Sequence, residues 1–442
     1  MNNALNIAIA GIGTVGTSLV RLIEQQADLL TERCGRAIRV KAVNARDKNK
    51  QRDVPLDDYT WYDDPVAMAK ADDCEVFVEL IGGEDGPAYE SVKAALQSGK
   101  HVVTANKALL AKHGVELAEI AEQSGLLLNY EAAVAGGIPV IKVMRESLTA
   151  NQVNRVYGIL NGTCNYILTR MESDGLSFED CLTAAQELGF AEADPTFDIE
   201  GNDTAHKLAI LTSLAFGTRI APEAIYLEGI TRITIEDINA AKDLGYRIKL
   251  LGVATKTNAG VESRVHPAMV PLGSAIAEIG GVTNAVCVEA DVVGGLMMSG
   301  PGAGGDATAS AVAGDLCDIA KSKPGHQHGP ALGQPAATLR AHNRAPMLAH
   351  AGGYFIRMSV LDKPGTMAAI ATRMAEQDIS LESIVQRSRD AKAAAGEGTA
   401  HATIILITHE TTEQAINTAL DGVRSDGRLV DDAQMIRIEK LS

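Results

Sequence analysis

Asn6 to Gly16 reads N-I-A-I-A-G-I-G-T-V-G, and this stretch decides the fold of the first third of the chain. Asn6–Ala10 is a short apolar run with the composition of a buried strand. It passes without a break into the G-x-G-x-x-G pattern of Gly11–Gly16, and the apolar spacing behind it predicts a helix over Thr17–Leu30. In that context Gly11 makes a tight turn, Gly13 lets the backbone approach a pyrophosphate, and Gly16 lets the helix pack closely on its strand. The phosphates are expected at the helix N-terminus beside Thr14 and Val15, where unpaired N–H groups and the helix dipole favour anions.

Strand and helix signals alternate onward from this start, as a doubly wound parallel sheet requires. A second strand at Ile38–Val43 ends in N-A-R-D, Asn44–Asp47. Where an NAD enzyme carries an acidic residue for the ribose, Ala45 and Arg46 stand; an arginine there suits the 2'-phosphate of NADP, with Lys48, Lys50 and Arg52 adding charge. NADP(H) is therefore favoured and NAD(H) remains possible, with Asp47 as the competing ribose ligand. Glu75–Ile81 is a third strand, Pro87–Ser98 a helix, and His101–Thr104 a strand whose carboxyl end delivers Lys107 to the crevice where such sheets bind ligands.

The rest of the composition bounds the function. A chain of 442 residues is too long for one core. A net charge of -16 opposes binding to nucleic acid. The six cysteines, Cys34, Cys74, Cys164, Cys181, Cys287 and Cys317, show no zinc-ligand spacing and read as reduced thiols. No signal peptide and no membrane-spanning apolar run is evident, so a cytoplasmic location is expected.

Leu188–Lys207, L-G-F-A-E-A-D-P-T-F-D-I-E-G-N-D-T-A-H-K, sets five carboxylates and one lysine before an apolar helix. Asp203 and Lys207 are four apart and share a helix face with Ile210, Leu211 and Leu214, which puts the lysine in line with the buried stripe. A partly desolvated ammonium has a lowered pKa and suits proton donation. Without chemistry, the same pair is an exposed salt bridge worth about 0.2–0.5 kcal/mol. Asp194, before Pro195, shapes a turn. Cys164, in N-G-T-C-N, is a nucleophile only if an activating base lies nearby in the fold; a buried thiol is the simpler reading.

Together, G-I-G-T-V-G, T-A-N-K (Thr104–Lys107), G-I-L-N-G-T (Gly158–Thr163), the Leu188–Lys207 stretch and G-P-G-A-G-G (Gly300–Gly305) resemble the homoserine dehydrogenase family over nearly the whole chain. The resemblance implies reversible NAD(P)H-dependent reduction of L-aspartate 4-semialdehyde to L-homoserine. It also implies roles: Lys207 as proton donor, Lys107 at the substrate and cofactor, Glu192 and Asp198 on the substrate ammonium, Asp203 on the substrate and Lys207, and Gly304 at the cofactor. A structural sodium ion is implied on the backbone of Glu131, Val134, Gly136 and Ile138. Ala307 stands where the family often has proline, a departure at a helix entrance.

Downstream, Lys321–Pro346 lacks periodicity and reads as a connector; its His326 and His328 are more simply an exposed pair than a metal site. Tyr354–Ile438 then reads as β-α-β-β-α-β, and V-L-D-K-P-G before its first helix resembles the ACT domain, an amino-acid-binding module. The expected architecture is α/β: a Rossmann-type domain over 1–140 completed by 300–325, an α+β substrate and dimerisation domain over 141–300, a linker over 326–350, and an ACT domain over 351–442. L-Threonine is the expected effector, near Asp362 and Gly365, and a homodimer or homotetramer is expected. Deletion from about Gly352 is expected to leave activity and abolish threonine sensitivity. Two other readings are a phosphorylating aspartate-semialdehyde dehydrogenase using Cys164, and a non-catalytic dinucleotide and amino-acid sensor.

Overall fold

Leu5–Ala10 (β1) is almost wholly buried, because both faces of its sheet are covered by helices and a near-continuous apolar run is what such a strand needs. The computed structural model describes residues 4–322, 329–346, 351–388 and 401–440. With β1 run Ile38–Asn44 (β2), Thr60–Tyr62 (β3), Val76–Glu79 (β4), His101–Thr104 (β5) and Leu128–Asn129 (β6), all parallel, in the order β3-β2-β1-β4-β5-β6. The order reverses between β1 and β4, and the crevice at that switch point is where such sheets bind ligands. Register levels the strand tips: Ala10 pairs with Glu79, and Glu79 with Thr104. The turns after β1, β4 and β5 therefore meet at one rim.

The helix after β1 differs from the sequence expectation. It starts at Thr14, with Gly13 as its N-cap, and Gln26 leaves helical geometry, so that Ala27–Cys34 forms a second helix. The earlier start matters, because the first helical bond runs from Thr17 N–H to the Gly13 carbonyl at 2.9 Å. The N–H groups of Thr14, Val15 and Gly16 are left without intrahelical acceptors. The Gly305–Lys321 helix lies against this first helix, and its Ala309, Val312, Leu316 and Ile319 share a core with Leu5, Ile7, Ile9 and Leu19.

A second sheet carries the rest of the chain. Its order is Gly294–Pro301, Thr283–Ala290, Val153–Ile159, Tyr246–Thr257, Gly260–Pro271, Gln434–Ile438, Ala351–Leu361, His401–Thr408 and Leu381–Ser388. The last four strands, with helices Thr366–Ala375 and Glu413–Ser425, form the expected β-α-β-β-α-β unit. Gln434–Ile438 also pairs in parallel with Gly260–Pro271, through Ala268 with Arg437 and Met269 with Ile438. The join is buried and ionic: Glu439 meets Arg155, Arg264 at 2.6 Å and His266 at 3.3 Å, while Arg357 meets Asp237 at 2.6 Å.

The connector is not solvated throughout. Ala331, Leu332, Ala336 and Leu339 are buried, the Tyr130 hydroxyl donates to the Ala331 carbonyl at 2.7 Å, and Arg340 bridges to Thr218. Apolar residues at irregular spacing gave no periodic signal for this strap. His326 and His328 lie outside the described residues. Among the described residues no helix is long and apolar enough to cross a membrane.

Candidate active site

A cleft of about 630 Å³ opens where the Rossmann rim faces the second sheet. Its walls include Val15 after β1, Leu80–Gly82 after β4, Ala105–Lys107 after β5, Asn161–Thr163, Asp198, Asp203, Lys207, Asn284 and the Pro301–Gly304 loop.

On the nucleotide side each glycine of the opening motif has a distinct environment. A Cβ on Gly11, whose φ is +103°, would lie 2.4 Å from the Leu80 carbonyl oxygen, and one on Gly16 would lie 2.2 Å from that of Gly11. Gly13 faces open space, as a turn that receives a phosphate must. At the tip of β2, Arg46 is exposed and does not line the cleft. Asp47, the competing ribose ligand, accepts a hydrogen bond from Asn49 N–H at 2.8 Å within its own loop. Arg52 keeps its charge near the loop but is held within it: its guanidinium donates to the carbonyls of Ile12 at 3.0 Å, Lys50 at 2.8 Å and Asp47 at 2.7 Å, and lies against the Trp61 ring. It folds the loop onto the glycine turn.

The other wall is built around Asp203, in the first turn of the Asn202–Phe216 helix, where the helix dipole favours an anion. Lys207, one turn on, donates to Asp203 Oδ2 at 2.7 Å and to the Leu160 carbonyl at 2.6 Å. Lys107, at the start of its own helix, reaches Asp203 Oδ1 at 3.0 Å from the Rossmann side. Lys207 is therefore part-buried and paired, and the Asp203 contact expected from the i,i+4 spacing is formed. Burial pushes the Asp203 carboxyl up, but Lys207 and Lys107 outweigh this and hold it well below the usual carboxylate range. Asp198 is shifted the other way: burial and the neighbouring Asp203 raise it.

Three polar residues of this site carry no charge pattern that sequence reading could have used. Asn161 Nδ2 donates to Asp198 at 2.8 Å and to Asp203 at 2.9 Å, while its Oδ1 caps the Gly162–Asp174 helix at Cys164 N–H. Asn106 caps the Lys107 helix and donates to the Gly83 carbonyl at 2.6 Å. Glu79, fully buried, accepts from Ile81 and Gly82 N–H and from the Thr104 hydroxyl, so it ties the tips of β4 and β5 together. An Asn-Lys or Asn-Gly pair directly after a strand is the available signal for the two caps.

Glu192 is not brought into the wall. It is exposed, and its backbone carbonyl accepts from Gln186; Phe190, edge-on to Tyr166 and tied through its carbonyl to the Thr163 hydroxyl at 2.6 Å, lines the cleft instead. Asp194 accepts from Thr196 N–H at 3.1 Å in a local turn. Cys164 is buried, donates to the Asp198 carbonyl at 3.2 Å, and burial with the nearby Asp198 and Asp203 carboxylates pushes its thiol up, the reverse of what a nucleophile needs. A Cys164 mechanism has no support here.

The Glu131–Ile138 loop lies behind the cleft. Ala135 and Gly136 are both left-handed, with φ of +57° and +56°. The Glu131 carboxylate accepts from Ile141 and Lys142 N–H, at 2.8 and 2.9 Å, which turns it towards the Val140–Lys142 turn. Burial and Asp315 push that carboxyl up to about 7. The carbonyls of Glu131 and Ile138 each accept one hydrogen bond, from Val134 and Val140 N–H, and each keeps a lone pair for a hard cation. Val134 and Ile138 are buried in this loop. Among the described residues no group of three or more His, Cys, Asp or Glu is placed to hold a metal ion. Gly304 caps the Gly305–Lys321 helix beside the nucleotide turn.

Comparison with known proteins agrees over the whole chain. Residues 11–131 match the family profile described as homoserine dehydrogenase, NAD binding domain; residues 139–317 match that of homoserine dehydrogenase; and residues 354–421 match the ACT domain. The homoserine dehydrogenases of Neisseria gonorrhoeae and Pseudomonas aeruginosa are 42% and 43% identical, each over 99% of both chains. The crystal structure of the Thiobacillus denitrificans homoserine dehydrogenase superposes with a TM-score of 0.92 at 40% identity, covering 100% of this chain and 99% of that one. A hyperthermophilic archaeal homoserine dehydrogenase in complex with NADPH covers 73% of this chain and 99% of its own, with a TM-score of 0.63 at 26% identity. With its NAD(P)-binding fold, its lysine-flanked carboxylate and its C-terminal ACT unit, this chain belongs to the homoserine dehydrogenase family of NAD(P)-dependent oxidoreductases.

Proposed function

We propose that the chain reduces L-aspartate 4-semialdehyde to L-homoserine with NADPH, reversibly, and that its ACT unit lets L-threonine inhibit the reaction. The observation that carries the catalytic part is the convergence of Lys107 and Lys207 on Asp203 in the cleft beside the glycine turn. NADPH bound there supplies the hydride. Reduction of an aldehyde leaves an alkoxide, and Lys207, oriented by Asp203 and Leu160, protonates it. Lys107 polarises the carbonyl oxygen and faces the cofactor. Asp198 receives the substrate ammonium, and Glu192 joins it only if the 188–195 loop moves inward.

Thr14, Val15, Gly16 and Gly304 hold the pyrophosphate and nicotinamide side of the cofactor, with Arg46 on the 2'-phosphate. The archaeal relative solved with NADPH, and the engagement of Asp47 within its own loop, support NADP(H) over NAD(H). The backbone carbonyls of Glu131, Val134, Gly136 and Ile138 would hold a sodium ion that fixes the loop behind the cleft. Mixing the protein with NADPH and aspartate semialdehyde should consume the reduced nicotinamide, with Lys207→Ala as control. No oxidation, or equal rates in both proteins, refutes the reading.

Support for an effector is a cavity of about 160 Å³ in the ACT unit, lined by Asp362, Gly365, Thr366, Met367, Gln386 and Ile404. Deleting from Gly352 is not a clean test, since it removes Gln434–Ile438 from the catalytic sheet. Asp362→Ala is the better one: threonine inhibition should be lost with uninhibited turnover unchanged. A homodimer or homotetramer is proposed, to be read by light scattering.

A further inference from the structure

Asn284, the second residue of the Thr283–Ala290 strand, lines the cleft, yet it is 1% exposed and its buried Oδ1 has no hydrogen-bond partner among the described residues. Leaving an amide oxygen desolvated and unpaired costs about 1–3 kcal/mol. The surroundings hold it in place. The neighbouring Thr283 carbonyl accepts from Asn165 at 3.2 Å, and a Cβ on Gly302 would lie 2.1 Å from the Asn284 amide carbon. Gly302 is thus the residue that lets the amide lie flat against the Pro301–Gly304 loop. That loop leads into Gly305, where a Cβ would sit 2.7 Å from the Ser18 hydroxyl and 3.1 Å from Thr14. The amide therefore belongs to the wall that meets the nucleotide-binding helix, in the same cleft as Val15, Asp203 and Lys207.

We infer that Asn284 recognises the carboxamide of the nicotinamide ring. A primary amide offers one acceptor and two donors, the complement of another primary amide, so the two can exchange a pair of N–H···O bonds. This contact would fix the rotation of the ring and hence which face meets the substrate. The inference rests on the NAD(P) site described above and adds a residue to it.

The test uses direct binding, by quenching of protein fluorescence, with two probes: NADPH, and its acetylpyridine analogue, in which a methyl ketone replaces the carboxamide. Asn284→Ala should weaken NADPH by about tenfold and the analogue by less than about threefold, since the analogue lacks the N–H donors. Melting of the free protein should be unchanged or raised in the variant, because an unpaired buried amide oxygen has been removed. Asn284→Leu keeps the branched shape without donor or acceptor and should show the same NADPH-selective loss, which keeps the inference testable if the alanine protein misfolds. Equal losses for both probes, or undiminished NADPH binding, overturn it. Wild-type protein that binds neither probe would instead overturn the cofactor site itself.

Discussion

Asp203→Asn changes one atom's identity and almost no volume, yet it should disable the cleft. The carboxylate has two oxygens and three donors around it: Oδ2 takes Lys207 at 2.7 Å and Asn161 at 2.9 Å, and Oδ1 takes Lys107 at 3.0 Å. An amide has one oxygen. Whichever way Asn is turned, its N–H₂ faces at least one ammonium, so a lysine must leave. Each ion pair is on the order of 5 kcal/mol by Coulomb's law at an effective dielectric of about 20, before the desolvation that opposes it. The Lys107 partner is a third exposed and must be discounted for solvent, which leaves Lys207 as the main loss. Removing one partner of a buried pair costs about 3–5 kcal/mol. Losing the alignment of a general acid lowers turnover by about 10²–10⁴-fold. We expect kcat to fall at least a hundredfold by that reasoning, with NADPH affinity within about threefold of wild type. Urea unfolding should show a deficit of about 3 kcal/mol at neutral pH. The Asp203 pKa is depressed in the fold, so its stabilisation is complete above the unfolded value of about 3.9 and is lost only as pH falls through the folded value. The deficit should therefore be the same at pH 8 and pH 6. A variant with wild-type kcat, or a deficit that shrinks between those pH values, refutes the reasoning.

Other substitutions probe separate parts of the molecule. Lys207→Met should lower kcat by about 10²–10⁴-fold while NADPH still binds, as read by turnover and fluorescence titration. Cys164→Ser should retain activity within about threefold, since the thiol is buried and held protonated; a phosphate-dependent activity lost in the variant would contradict this. Arg46→Ala should raise KM for NADPH by about tenfold and leave NADH unchanged, the loss of one charge-assisted contact. Glu439→Gln should destabilise the protein by about 3 kcal/mol in urea, because Arg264 and Arg155 lose the buried counter-charge they share. Against burial, Arg264, His266 and Arg155 hold the Glu439 carboxyl well below its usual range, so this contribution too is present at neutral pH and disappears only on acidification.

Much of the cofactor half was legible because its determinants are local. A G-x-G-x-x-G between strand and helix encodes its own geometry, and Gly11, Gly13 and Gly16 each stand in the environment that the pattern demands. The i,i+4 spacing of Asp203 and Lys207 likewise carried into the structure. What stayed hidden depends on contacts far apart in the chain. Lys107 meets Asp203 across 96 positions, the unpaired Oδ1 of Asn284 is visible only once its surroundings are known, and Arg52 looked like a mobile charge until its carbonyl partners were in place. The Tyr246–Thr257 and Gly260–Pro271 strands escaped notice because polar residues such as Lys249, Glu262, Arg264 and His266 are buried in them, satisfied by partners that no period reveals. Glu192 shows the reverse case, a side chain named by resemblance that the folded loop turns outward.

The parallel pairing of Gln434–Ile438 with Gly260–Pro271 also sets a timetable for synthesis. About 160 residues separate Pro271 from Gln434, and at about 5–20 residues per second a ribosome needs on the order of ten to thirty seconds to deliver the second strand after the first. Through that interval Ala268 and Met269 lack their strand partner, with Arg264 and His266 still waiting for Glu439. The substrate-side sheet and the ACT unit must then mature together, so a nascent chain that already carries Lys107, Asp203 and Lys207 still lacks the strand that joins the two.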